Sequence, residues 1–378
     1  MKVIVIYTGS FINCPPAISV VNVLIDLGYS VSIISGNPED KEYFRETDVE
    51  IVVPKEKLYA FPKNILRWLT RFIYTKKFVK NSIDIISKNE ENCLLWLISE
   101  KPLKYLGKHL NNYKYVLQFL ELGQYFYYSS HLPFQFKIDK YLALASAITQ
   151  CEDNRASIFQ AWWGLKKKPY VLPNKMYPQN ILEKNAYIHD DIARSIIEKL
   201  KGKKIILYQG ILNKDRPIEN YIHAIDKMGE NYAFVVMSNY PNIYSNINSC
   251  NYFYIPFVKP PYHLEITSHA YIGILTYVPY KNEYSPLNYI YCAPNKIWEY
   301  SQLSVPMIGN DIPGLKNPFE INKCGVCSKS LEIDDIIASI QIIENNYTEY
   351  SQNSKSLYDS LDIKSIINEI LEGIPKRC

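Results

Sequence analysis

Residues 3–35 read VIVIYTGSFINCPPAISVVNVLIDLGYSVSIIS, and this stretch decides the fold. VIVIY (3–7) is a β-branched run with no polar alternation, the pattern of a strand covered on both faces. Pro15 and Pro16 open a segment whose apolar residues recur at helical spacing, and Gly28 closes it. SVSIIS (30–35) then resumes the sheet. A strand, a helix and a second strand in this order imply a right-handed crossover and a parallel sheet.

Working outward, the pattern continues. DVEIVVP (48–54), NCLLWLIS (92–99) and KYVLQFLE (114–121) read as further strands, and residues 140–164 hold a helix, a strand and another helix. PYVLPN (169–174) ends the first half. Residues 175–203 are polar and helical, without strand signal. The alternation restarts with strands at 203–210, 232–238, 252–257, 271–277 and 305–310, helices at 217–228 and 261–269, a short helix near 296, and closing helices at 331–344 and 354–373. The expected fold class is α/β, with two Rossmann-like, doubly wound domains that place ligands at the carboxyl ends of strands, across a cleft. The expected divisions are a first Rossmann-like domain at 1–180, a linker at 181–202, a second Rossmann-like domain at 203–355, and a C-terminal helix at 356–378 that crosses back to the first domain.

Bulk properties exclude several classes. The chain has 378 residues, a length for about two domains. No run of about 18 apolar residues predicts a membrane span. MKVIVIYTGS reads as a buried strand and not as a signal peptide, so a cytoplasmic protein is expected. Eight cysteines are scattered, and the single C-x-x-C at Cys324 and Cys327 lacks a second pair at zinc-site spacing. Neither G-x-G-x-x-G after the first strand nor G-x-x-x-x-G-K-[ST] occurs, which argues against dinucleotide and P-loop chemistry. The net charge of +4 is uneven: residues 1–180 hold 23 Lys and Arg against 16 Asp and Glu, and the remainder 19 against 22. The first half is therefore the one to meet an acidic surface.

Three places carry chemistry. YTGSF puts Gly9 and Ser10 at the turn after strand one, where a glycine lets a ligand reach the main chain; an ordinary β–α turn reads equally well. YQGILNKDRP ends a strand at Gly210 and places Arg216 just before a helix, where a planar cation suits a diphosphate. The most specific stretch is residues 279–314, PYKNEYSPLNYIYCAPNKIWEYSQLSVPMIGNDIPG. A polar loop leads to Pro294 and a short helix bearing Lys296 and Glu299. Lys296 and Glu299 fit either a local ion pair or a nucleotide site, with the ammonium on phosphate and the carboxylate on a ribose diol.

APNKIWEYSQLSVPMIGND resembles the P-N-K-x-x-E-Y-x-x-x-x-x-P block of bacterial glycosyltransferases of the two-Rossmann-domain (GT-B) type, especially family 4 and its relatives. Three more segments match in order: AITQCEDNRASIF, YVLPN, and ILYQGILNKDRPIENYIHAI. The resemblance spans nearly the whole chain. It implies transfer of a sugar from a UDP- or GDP-sugar to a carbohydrate or lipid-linked acceptor during surface glycan (capsule or polysaccharide) synthesis, with retention of configuration. By position, Glu299 would hold the ribose, while Arg216 and Lys296 would hold the diphosphate and stabilise the leaving group. Asn295 and Gly210 would line the donor, and Phe257 and Val258 would lie near the nucleobase. Gly9 and Ser10 would face the diphosphate or the acceptor. The absence of a D-x-D motif agrees with metal independence, so no cofactor is expected.

Two positions depart from the family pattern. Where the first domain often ends a strand in His-Glu or His-Asp, this chain has Leu120 and Glu121. Glu121 becomes the catalytic or acceptor-contacting carboxylate, with a purely structural role as the competing reading. Eight residues before Glu299, where relatives carry a Glu that contacts the transferred sugar, stands Tyr291; Asn288 is the residue placed to take over part of that contact. Two alternatives stay open on the same fold: a non-hydrolysing nucleotide-sugar epimerase, and a degenerate, non-catalytic partner subunit. Residues 61–81, FPKNILRWLTRFIYTKKFVKN, carry Arg67, Arg71, Lys76 and Lys77 interleaved with Trp68 and other aromatics and no acid. They fit an anionic bilayer surface on the inner face of the plasma membrane, or equally a helix that packs its aromatics inward. No nucleic-acid recognition module accompanies them.

Overall fold

The computed structural model describes residues 1–58, 65–90, 92–123, 138–177, 182–280 and 284–374. The chain forms two compact units. The first comprises Met1–Pro178, Glu283–Ser285 and Asp362–Cys378; the second comprises Gln179–Asn282 and Pro286–Leu361.

The first unit is built on a parallel sheet of β1 (Lys2–Tyr7), β2 (Ser30–Ser35), β3 (Glu50–Val52), β4 (Cys93–Ile98), β5 (Lys114–Phe119), β6 (Ala147–Gln150) and β7 (Tyr170–Val171), in the order β3-β2-β1-β4-β5-β6-β7. Val3 to Ile6 and Leu94 to Ile98 are all buried, which is why these strands read as unbroken apolar runs. Helix Pro15–Asp26 starts on the two prolines, whose missing N–H groups cost nothing at that end. The helix Ile363–Glu372 packs on Pro15–Asp26 within this unit. Asp362 caps it, accepting from the amides of Lys364 and Ser365 at 2.9 and 3.2 Å. That cap divides the helix expected at 354–373 into two, Tyr347–Asp359 and Ile363–Glu372.

The second unit repeats the plan with β8 (Lys204–Gln209), β9 (Tyr232–Ser238), β10 (Tyr252–Pro256), β11 (Ile272–Leu275), β12 (Met307–Asn310) and β13 (Gly325–Ser328), in the order β10-β9-β8-β11-β12-β13, all parallel. β8 pairs with β9 on one side and β11 on the other, so the strand order reverses there. In doubly wound sheets that reversal opens a crevice at the carboxyl ends of the two strands. β13 was not read from the sequence. Its neighbour Cys324 is fully buried, and burial pushes the thiols of Cys324 and Cys327 up to about 12, so both stay protonated near neutral pH. Within residues 181–202, Asp191–Lys199 forms a helix whose Ala193 and Ile197 join the second core. The helix after Arg216 begins at Glu219 and not at Pro217.

Candidate functional site

The second unit's site is set by the helix Lys296–Ser301. Tyr300 is fully buried, and its hydroxyl donates to the Leu207 carbonyl at 2.9 Å. Its ring lies over Gly273 of β11, where a Cβ would come within 2.6 Å of it. Only glycine permits that approach. Ile297 is buried beside it, and the Ser301 hydroxyl donates to the Ile297 carbonyl at 2.6 Å. These contacts dock the helix over β8 and β11. Lys296 and Glu299, three residues apart and so on one face, are thereby carried to the end of β8.

Lys296 lies against Gly210, the residue after β8. A Cβ on Gly210 would stand 2.6 Å from Lys296 Cε and 3.0 Å from its Nζ, and the backbone there has φ +143°, a value that favours glycine. Among the described residues Lys296 makes no ion pair with Glu299, so the local pair allowed by the sequence does not form. Burial, and secondarily the Arg216 guanidinium, lower the Lys296 ammonium from 10.5 to about 8, against an opposing pull from Glu299. Burial by itself would raise the Glu299 carboxyl. His263, Lys296 and Gln209 outweigh it and hold the carboxyl below the usual range.

Arg216 stands on the loop between β8 and the helix Glu219–Met228. Its guanidinium lies 5.0 Å from the Tyr277 ring centre, and its Nε is 3.5 Å from Asp215 Oδ2. The loop is tied down at both ends: the Tyr208 hydroxyl donates to the Ile211 carbonyl at 2.6 Å, and the Val278 amide donates to the Asp215 carbonyl at 2.9 Å. Lys296 and Arg216, with the carboxylates of Glu299 and Asp215, therefore meet at the point where the strand order reverses, and the Arg216 charge is close enough to disfavour that of Lys296. An anion received there relieves that repulsion.

The other donor-side positions are more dispersed. Asn295 begins the Lys296–Ser301 helix without a side-chain cap, and Asn288 is buried on the short helix Leu287–Ile290. Just past β10, Val258 is packed into the core while Phe257 is 53% exposed.

In the first unit, the end of β1 is built around Asp40. This wholly buried carboxylate accepts from the Ser10 hydroxyl at 3.0 Å, the Phe11 amide at 2.7 Å and the Ser35 hydroxyl at 2.5 Å. Ser10 is thus turned inward to brace the turn. Gly9 lies against the Tyr7 ring. Glu121 follows β5 with its side chain 44% exposed, and its Oε2 is 3.7 Å from Arg155 Nη1. Arg155 is buried and donates to the Leu120 carbonyl at 3.0 Å; Glu152 caps its helix by accepting from the Arg155 amide at 2.8 Å. The E-x-x-R segment therefore supports the backbone that presents Glu121.

Sequence reasoning missed four residues near these ends. Gln209 and His263 flank Glu299, and Thr267 stands behind Gln209. Glu100 follows β4 beyond Ser99, whose φ is +67°; it is 6% exposed, and burial raises its carboxyl. A polar residue closing an apolar strand, as in YQG, is the signal that could have found Gln209.

The basic stretch forms the start of helix Ile65–Ser87. Arg67, Lys76 and Lys77 are exposed, as are Ile73 and Tyr74, while Arg71 Nε donates to the Leu58 carbonyl at 3.3 Å. Phe72 and Phe78 are half-buried. Residues 61–64 and the Trp68 side chain lie outside the described residues. No described helix is long and apolar enough to cross a membrane. Among the described residues no group of three or more His, Cys, Asp or Glu is placed to hold a metal ion.

No protein-family model matches the sequence, and no curated protein matches it. Solved structures do. A glycosyltransferase from Rickettsia africae superposes with a TM-score of 0.69 at 12% identity, over 98% of this chain and 97% of that one. HepE of Anabaena, solved with UDP-glucose, gives 0.65 at 10% identity, over 98% of both chains. MnaA of S. aureus, solved with UDP, gives 0.62 at 13% identity, over 100% of this chain and 98% of that one. At such identities the likeness concerns the fold: two Rossmann-like, parallel-sheet units of the GT-B kind.

Proposed function

We propose that this protein is a glycosyltransferase that moves a sugar from a UDP- or GDP-sugar to a carbohydrate or lipid-linked oligosaccharide acceptor in surface glycan synthesis. The observation that carries this reading is the meeting of Lys296, Arg216 and Glu299 at the carboxyl end of β8, against Gly210. Lys296 and Arg216 hold the donor's diphosphate. As the bond from the sugar carbon to the diphosphate oxygen breaks, negative charge grows on that oxygen, and two preplaced cations stabilise it without a metal. Glu299 accepts hydrogen bonds from the ribose hydroxyls. Gly210 leaves the main chain open to the phosphates, while Asn295 and Asn288 serve the donor further out.

In the first unit Glu121 is the carboxylate for the acceptor, and the family resemblance favours retention of configuration. The exposed cations Arg67, Lys76 and Lys77 of helix Ile65–Ser87 serve an anionic membrane surface that carries a lipid-linked acceptor. A thermal-shift screen of UDP, GDP, ADP and CDP tests the donor reading, because a ligand bound only by the folded state raises apparent stability. UDP or GDP is expected to raise Tm; no shift with any of the four counts against the reading. Incubation with UDP-sugars alone separates a transferase from an epimerase, which needs no acceptor.

A further inference from the structure

Glu299 is held from two sides by residues that neither the resemblance nor the proposed chemistry assigns. Gln209, the last residue of β8, is 3% exposed. Its Nε2 donates to Glu299 Oε2 at 2.5 Å, and its Oε1 accepts from the Thr267 hydroxyl at 2.7 Å. The direction of this relay is fixed by chemistry. An ionised carboxylate only accepts, so the amide must turn its NH₂ to Glu299 and its carbonyl to Thr267. On the other side, His263 Nε2 lies 3.7 Å from Glu299 Oε1. His263 and Thr267 share the helix His263–Thr267, one turn apart. His263 Nδ1 is buried and has no hydrogen-bond partner among the described residues, so a proton there would be unanswered. A proton on Nε2, by contrast, points at Glu299.

Each carboxylate oxygen of Glu299 thus faces one protein donor, and each keeps a second lone-pair site for a ligand. The side chain is only 12% exposed, so those sites open onto little bulk water. Two neighbouring acceptors, fixed in plane, match two neighbouring hydroxyls better than one.

We propose that Gln209, aligned by Thr267, and His263 are positioning residues that make Glu299 select a vicinal diol, so that the site discriminates ribonucleotides from deoxyribonucleotides. The inference rests on Glu299 being the ribose-binding carboxylate. A purely structural clamp would tie β8 to its two helices without affecting that choice.

The test compares affinities for UDP and 2′-deoxy-UDP, and for GDP and 2′-deoxy-GDP, by titration calorimetry. Wild type is expected to prefer the ribo form about tenfold, the scale of one hydrogen bond to a charged acceptor. Gln209→Met is expected to reduce the preference to within about twofold, chiefly by weakening the ribo form. Thr267→Val should reduce it in the same direction, and Thr267→Ser, which keeps the hydroxyl, should retain it. His263→Asn is expected to lower it as well. These two positions decide the matter should Gln209→Met fail to fold. Equal weakening of ribo and deoxy forms in every variant, or no preference in wild type, overturns the inference while leaving the diphosphate site standing. Failure of wild type to bind any of the four overturns the donor-site reading itself.

Discussion

Lys296 offers a proton count that depends on the proposed site and on little else. Burial and Arg216 lower its ammonium to about 8 in the free protein, from an ordinary 10.5. A diphosphate placed beside it reverses the balance, since an adjacent anion favours the charged form. If binding returns the group to its ordinary range, the free protein at pH 9 is about nine-tenths deprotonated at Lys296 and the complex is almost fully protonated. Binding then takes up about 0.9 proton at pH 9, about 0.5 at pH 8 and about 0.1 at pH 7. Affinity falls towards tenfold per pH unit above about 8, for a total near 3 kcal/mol by pH 10.5. Nucleoside diphosphates are already ionised in this window, Arg216 keeps its charge throughout, and burial raises the nearby Tyr208 and Tyr300 hydroxyls out of it. The assay is titration of UDP or GDP at pH 7, 8 and 9 in pairs of buffers with different ionisation enthalpies; the slope of heat against buffer enthalpy gives the proton number. Lys296→Met should abolish the uptake. Tight binding with no uptake at pH 9, or uptake that survives in Lys296→Met, refutes the reasoning. The same shift has a second sign to check. Between about 8 and 10.5 the unfolded chain binds more protons at this lysine than the folded one does, so ligand-free stability gains from this group as pH rises through that window.

Glu299→Ala and Arg216→Ala should each lower transfer by about 100-fold or more, the scale of losing a preplaced charge partner, with circular dichroism and Tm close to wild type; wild-type-like turnover in both removes the site assignment. Gly273→Ala should force the Tyr300 ring away, cost about 1–3 kcal/mol in denaturant unfolding, and weaken nucleotide binding because Lys296 and Glu299 ride on the same helix. A stable, fully binding variant contradicts that account of how the helix is seated. Replacing Arg67, Lys76 and Lys77 together with Gln should weaken binding to anionic vesicles about 100-fold, taking about 1 kcal/mol per cation; equal co-sedimentation of variant and wild type ends the membrane proposal.

Much of the fold was legible because the strands are buried on both faces. VIVIY, NCLLWLI and KIILY announce themselves without reference to any partner. β13 escaped because its four residues, GVCS, contain one β-branched residue and sit beside a C-x-x-C that invites a chemical reading. The first half of helix Tyr347–Asp359, before residue 354, escaped because its exposed face is polar and few of the helix's residues are buried. At the site, the sequence grouped only what a helix or a strand end sets locally, Lys296 with Glu299, and Gly210 with Arg216. What joins these pairs is the order β8 next to β11, together with the Tyr300–Gly273 contact, and neither is written at short range. Gln209 lies ninety residues from Glu299 and fifty-eight from Thr267. From its place after β1, Ser10 fitted a ligand contact or an ordinary turn equally well; its partner Asp40 is thirty residues on and meets it only because β2 pairs with β1.

The most direct measurement is a crystal structure of the protein with UDP or GDP bound. The account predicts the diphosphate against Lys296, Arg216 and Gly210, with both ribose hydroxyls on the Glu299 carboxylate. A nucleotide seated elsewhere, or one whose ribose leaves Glu299 untouched, would contradict it.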